Sequence, residues 1–182
     1  MVEKKKFFDI ELPIINEQVS LLAVSEESLI GKTIKIDMTR KLKGKSLDAI
    51  FVIKEKLKAE MKRICILGYF IRRMMRTSIN YVEDSFSAES KNAFLRIKPF
   101  LITRKKVTRE VRKALRNKAK EEILAFVKDK NADEIFSSLL SGTFQRTLSL
   151  KLKKIYPLSF CDIRDIFIEK ELSPLVVEEK IQ

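Results

Sequence analysis

TRKKVTREVRKALRNKAKEEILAFVK, residues 103–128, is the stretch on which the fold of this chain turns. At helical spacing its apolar positions are Val107, Val111, Leu115, Ala119, Ile123 and Val127, with Ala114 and Phe126 flanking. Such a stripe predicts a long helix with one face buried against a core. Arg109, Arg112, Lys113, Arg116 and Lys120 fall on a second stripe, and Arg104, Lys105 and Lys106 lead into it. Glu110 is the only acid from Arg104 to Lys120. Like charges at i,i+3 and i,i+4 repel by about a few tenths of a kcal/mol per pair, a cost that an anion on the face would relieve. A wet basic face is the simpler explanation for two or three surplus charges. This imbalance points instead to nucleic acid.

The totals agree. The chain has 182 residues and a formal net charge of +13, with 45% hydrophobic content. That length suits one domain burying about 70% of the unfolded surface. Residues 1–168 are expected to form a single globular unit and 169–182 an acidic tail. Charge of this size speaks to partners rather than to fold, with a phosphate polymer ahead of an acidic membrane. No run nears the ~20 apolar residues that span a bilayer. The opening MVEKKKFFDIELP has no apolar core of a secretory signal, so a cytoplasmic protein is expected.

Chemistry is sparse. There is no histidine, which removes Ser–His, Cys–His and His–metal mechanisms together. Cys65 and Cys161 stand alone without CxxC spacing, which argues against zinc. Buried, reduced thiols are expected, with a disulfide between them left open. Glu26-Glu27, Glu121-Glu122 and Glu178-Glu179 are adjacent pairs on polar runs, the pattern of solvated faces. Only four glycines are present, with no P-loop and no dinucleotide fingerprint. Neither an enzyme nor a bound cofactor is expected.

Outward from residues 103–128, period-two alternation predicts strands. Phe8, Ile10 and Leu12 mark one closed by Pro13, and Ile34, Ile36 and Met38 mark another. Ser25 is expected to cap one helical turn through 28–30, stopped by Gly31. A basic loop carrying Arg40, Lys41, Lys43 and Lys45 then joins the second strand to an apolar one over 47–54, as a hairpin with a cationic tip. Contact of that tip with RNA and mere solvation weigh evenly. A third strand is centred on 64–67. Residues 69–76 read as a short helix with Arg72, Arg73 and Arg76 on one face and Phe70, Ile71, Met74 and Met75 on the other. Residues 81–88 and 94–102 flank the turn 90–92 as a second hairpin, where Pro99 asks for an edge or a bulge. After the long helix, with Thr108 as its N-cap, come short helices over 132–140 and 143–154 and a last strand over 159–168.

Four stretches resemble the S-three-a-e (e-S-one) family of archaeal and eukaryotic small-subunit ribosomal proteins. They are Phe7-Phe8-Asp9-Ile10-Glu11-Leu12-Pro13, Ile30-Gly31-Lys32-Thr33, the run from Arg96-Ile97-Lys98-Pro99 through Arg112-Lys113, and Lys154-Ile155-Tyr156-Pro157-Leu158 followed by Asp162-Ile163-Arg164. The last is the most specific. The opening lacks the family's tryptophan, and the segment between Pro13 and Gly31 is compact. The resemblance implies an α+β fold, a curved, mostly antiparallel sheet of about six to seven strands with the long basic helix and shorter helices beside it. It further implies a seat on the platform of the small subunit near the mRNA exit and the rRNA 3′ end. The partners would be rRNA, neighbouring ribosomal proteins and mRNA near the exit.

The expected RNA contacts are Arg104, Lys105, Lys106, Arg109, Arg112, Lys113, Arg116 and Lys120, with Arg40, Lys41, Lys43, Lys45, Arg72, Arg73 and Arg76 secondary. The rivals are a free-standing nucleic-acid binder, which would take duplex DNA equally, and a module whose cations answer an acidic protein.

Overall fold

The computed structural model describes residues 4–42, 44–54 and 57–171. In order come β1 (Lys6–Leu12), β2 (Glu17–Ala23), a 3-10 turn (Glu27–Leu29), β3 (Thr33–Asp37), β4 (Leu47–Ile53) and β5 (Ala59–Ile66). Then follow α1 (Gly68–Met74), β6 (Tyr81–Glu83), β7 (Phe86–Glu89), β8 (Ala93–Thr103), α2 (Arg109–Lys128), α3 (Ala132–Ser141), α4 (Thr143–Leu152) and β9 (Leu158–Glu171). β3 to β9 form one seven-stranded sheet in the order β3-β4-β5-β9-β8-β6, with β7 also on β8, and all its pairings are antiparallel. The expected α+β class holds.

The two long strands lie at the middle. β9 pairs with β8 from Ala93↔Glu171 to Thr103↔Leu158 and with β5 on its other side. Glu169, Lys170 and Glu171, expected to begin a tail, therefore continue β9; residues 172–182 lie outside the described residues. β8 is interior, so Pro99 is not at an edge. It sits at the bulge between Lys98 and Pro99, where the ladder does without its missing N–H.

One sheet face is apolar. Ala49, Ile64, Ile97 and Ile166 are at most 3% exposed, and the helices bring Leu115, Ile123, Phe136, Leu139, Leu148 and Leu152 into the same buried cluster. α2 lies over β6, β7 and α4, while α4 packs on β9. Gly142 has φ +73°, which ends α3 in the left-handed conformation that glycine adopts without strain. α4 stops at Leu152, before Pro157, and its Leu150 points to solvent.

The other face carries a ladder of cross-strand charge pairs, of which Lys98 and Asp165 are directly opposite. Lys35 meets Asp48 at 2.8 Å. Asp165 is 3% exposed; it accepts two bonds from Arg63 at 2.8 and 2.9 Å and one from Lys98 at 3.0 Å. The cations of both partners lie 5.4 Å from the Phe167 ring. Arg96 meets Glu169 at 2.7 Å and, with Ser87, holds that carboxyl below the usual carboxylate range. Asp165→Asn is expected to cost about 2–3 kcal/mol, less than a fully buried pair because Arg63 and Lys98 keep some water. Urea denaturation of the two proteins checks it.

The N-terminal residues form a separate ribbon, β1 paired with β2 from Lys6↔Ala23 to Leu12↔Glu17. Ile10 and Leu12 are buried, as the alternation predicts. β2 was not predicted, because Leu22 breaks the alternation of Val19, Leu21 and Ala23. Ser25 caps nothing; it is Glu26 that precedes the 3-10 turn, and the Ser28 hydroxyl donates back to the Ser25 carbonyl at 2.7 Å. Both cysteines are free thiols, half-buried rather than fully buried. Burial pushes the Cys161 thiol up to about 12, with Asp162 adding to the effect.

Candidate nucleic-acid interface

The helix α2 begins at Arg109, with Thr108 in the capping position but without a side-chain cap bond. Leu115, Ala119, Ile123 and Val127 are buried, while Val107 and Val111 are half-buried near the start. That leaves Arg109, Lys113, Arg116 and Lys120 exposed along one flank, about a quarter-turn from the buried stripe. Arg112 is only half-buried, and its Nε is enclosed with no hydrogen-bond partner. It is less free than its neighbours because its stem packs at the margin of the core. Lys120 remains exposed with its Nζ 5.5 Å from the Phe86 ring centre.

The lead-in to α2 is pinned from a distance. The side-chain oxygen of Asn80 accepts from the Val107 N–H at 2.7 Å, and the Asn80 N–H donates to the Thr103 hydroxyl at 2.9 Å. Thr103, fully buried, donates in turn to the Lys105 carbonyl at 2.7 Å. These bonds turn Arg104, Lys105 and Lys106 outward from the end of β8, and all three are exposed. Asn80→Ala is expected to cost about 1–2 kcal/mol, the usual penalty for a stranded backbone donor. Amide exchange at Val107 should quicken while that in α4 stays unchanged.

The decisive contrast is in the pairing of the charges. Among the described residues, none of Arg104, Lys105, Lys106, Arg109, Arg112, Lys113, Arg116 and Lys120 forms an ion pair, whereas Lys35, Arg63, Arg96 and Lys98 on the sheet face do. Farther along α2 the pattern changes: Lys118 meets Glu121 and Glu122 at 3.0 and 3.4 Å, and Lys151 of α4 meets Glu122 at 2.5 Å. Arg116 shares a small cleft with Glu83 and Asp84. Glu83, however, already accepts from Arg164 at 2.7 Å and from Tyr81 at 2.9 Å. Uncompensated cations thus crowd the first half of α2, where the positive end of the helix dipole adds to them.

Of the secondary cations, Arg72 and Arg73 occupy the last turn of α1, where the helix's free carbonyls favour them. Arg76 is not on the helix. α1 ends at Met74, and Met75 is extended and 41% exposed, so it does not cover the apolar face as expected. The chain then turns, and Arg73 and Arg76 meet Arg104 on an open groove of roughly 560 Å³. Ser78 and Ser159 add hydroxyls to its rim, and Met74, Ile79, Ile102 and Phe160 its apolar wall.

The β3–β4 hairpin tip is different. Lys41 is held by Glu17 of β2 at 2.5 Å and Lys45 by buried Asp162 at 2.5 Å. Arg40 is exposed and unpaired among the described residues, and Lys43 lies outside them. The convergence of Arg104 with Arg73 and Arg76, and the role of Asn80, had no signal in the sequence, because each joins residues more than twenty positions apart.

The sequence matches the Ribosomal S3Ae family over residues 1–171. It is 27% identical over 188 aligned residues to the small ribosomal subunit protein eS1 of Nanoarchaeum equitans, covering 97% of this chain and 95% of that protein. The eS1 protein of Halorubrum lacusprofundi is 24% identical over 112 residues, 61% of this chain and 52% of that protein.

Proposed function

The chain belongs to the Ribosomal S3Ae family and is a structural protein of the small ribosomal subunit, not an enzyme; from that premise we propose that it holds rRNA through the unpaired cations of α2 and its lead-in. The observation that carries this is the partition of charge. On the sheet face Lys35, Arg63, Arg96 and Lys98 are neutralised within the protein, while Arg104, Lys105, Lys106, Arg109, Lys113, Arg116 and Lys120 are exposed and, among the described residues, have no carboxylate partner. Arg112 would join them through its outer nitrogens. Arg40, Arg72, Arg73 and Arg76 form a second set, whereas Lys41 and Lys45 would have to leave Glu17 and Asp162 to reach a phosphate.

A-form RNA hides its major groove from side chains, so a convex basic helix of this kind reads phosphate position and 2′-hydroxyls along the backbone. The family match runs unbroken over residues 1–171, which supports treating that length as one RNA-binding unit. The family likeness also supports a cytoplasmic, ribosome-bound seat on the subunit platform near the mRNA exit, beside other ribosomal proteins and within reach of mRNA.

Salt titration tests the proposal. If about eight phosphates are neutralised, log affinity for small-subunit rRNA should fall against log salt with a slope on the order of −6 to −7. A slope near −2 would reject the α2 face. Sedimentation of the native protein in sucrose gradients, with and without RNase, should place it with the small subunit only while the RNA is intact.

A further inference from the structure

We propose that the groove between α1 and the lead-in to α2 receives an unstacked nucleotide of single-stranded RNA, resting on the reading of the protein as an rRNA binder. Three features of the groove favour this occupant. Arg73, Arg76 and Arg104 converge on it from two separate parts of the chain, and among the described residues no carboxylate lines it. Its wall is apolar and part aromatic, with Met74 and half-buried Phe160. Its roughly 560 Å³ also falls within the ~300–1,000 Å³ range of small-ligand clefts.

A duplex offers such a concavity only its sugar–phosphate exterior, because its bases are stacked away inside. A nucleotide turned out of the stack supplies both an anion for the arginines and a flat ring for the wall. Phe160 is ready for that ring. It is fixed by Phe100 at 5.5 Å and by Phe70, edge-on, at 6.3 Å, so stacking on it costs little further ordering. The cavity between α2, α3 and α4 makes a useful contrast. It holds roughly 430 Å³, but Glu122 lines it with Lys151 already bound to that carboxylate, so it has no comparable surplus of positive charge.

The experiment uses the full chain and two labelled RNA hairpins, one fully paired and one identical but for three unpaired uridines. Wild type should bind the interrupted hairpin about tenfold more tightly, as expected for one stacked base. Arg73→Gln/Arg76→Gln should cost the interrupted hairpin about tenfold more than the paired one, bringing the two affinities within about twofold of each other, while α2 still supplies backbone contacts to both. Both arginines are exposed, so the melting temperature should not move. With 5-iodouridine at the unpaired positions, photocrosslinks should map to the peptides containing Phe160 or Met74. Equal losses on both hairpins would reduce the groove to part of a general phosphate surface and overturn the inference. So would a wild type without preference, or displacement of the interrupted hairpin by an equimolar doubly phosphorylated peptide. A wild type that binds neither RNA would sink the rRNA-binding proposal as well.

Discussion

Replacing Arg109, Lys113 and Arg116 together by glutamine is expected to lower affinity for small-subunit rRNA roughly a hundredfold near 0.15 M salt, with the salt slope shallower by about 2–3. Each phosphate contact contributes through the counterions it releases, close to 0.7 of a log unit at that ionic strength, and three are removed. Stability should move the other way or not at all. The three side chains are exposed, and none has an ion-pair partner among the described residues. Their removal also relieves repulsion at i,i+4 and i,i+3 and at the positive end of the helix dipole. Thermal melts alongside filter binding separate the two effects. A collapse of the melt would make these residues structural, and unchanged affinity would move the RNA face elsewhere. Arg112 is left out of this set because its partly enclosed side chain would mix the two readouts.

Phe100→Ala should give the largest loss of stability, about 3–5 kcal/mol. Phe100 is fully buried in the interior strand β8, its ring 5.5 Å from Phe160 and 6.1 Å from Tyr81. Removing it empties a volume that two neighbouring strands cannot readily fill, and forfeits the aromatic contacts besides. For a chain of this size the melting temperature should fall by ~10 °C or more. Because Phe160 also touches Phe70 of α1, the loss should spread to the arginine groove. A cost below about 1 kcal/mol would mean that the row from Tyr81 to Phe70 is not packed as a unit.

What could be read from the sequence was local in origin. The i,i+4 march from Leu115 to Val127 identified α2 because burial of one helical face imposes that spacing. Ile34 and Ile36 marked β3 because side chains alternate across a sheet. The illegible parts were those decided by partners far away in the chain. Lys45 looks like any loop lysine until β9 brings Asp162 beside it, and Lys41 until β2 brings Glu17. Met75 and Arg76 suit a continuation of α1 by local preference, yet Met75 turns extended instead. β2 escaped because its pairing with β1, rather than its own weak alternation, makes it a strand. The cationic stripe itself was visible, but its lack of internal neutralisation was not, since that depends on where the acids of other strands come to rest.

The place of β9 also bears on how this protein is made. β5 and β8 both precede it in the chain, and each offers it a row of open N–H and C=O groups. While the polypeptide is still being synthesised, the sheet therefore exists as two unjoined halves with sticky flanks. Only the arrival of the late strand zips them together. Folding should accordingly be slow and end in one closing step, and a growing chain halted before residue 158 should be unusually prone to clump or to attract chaperones.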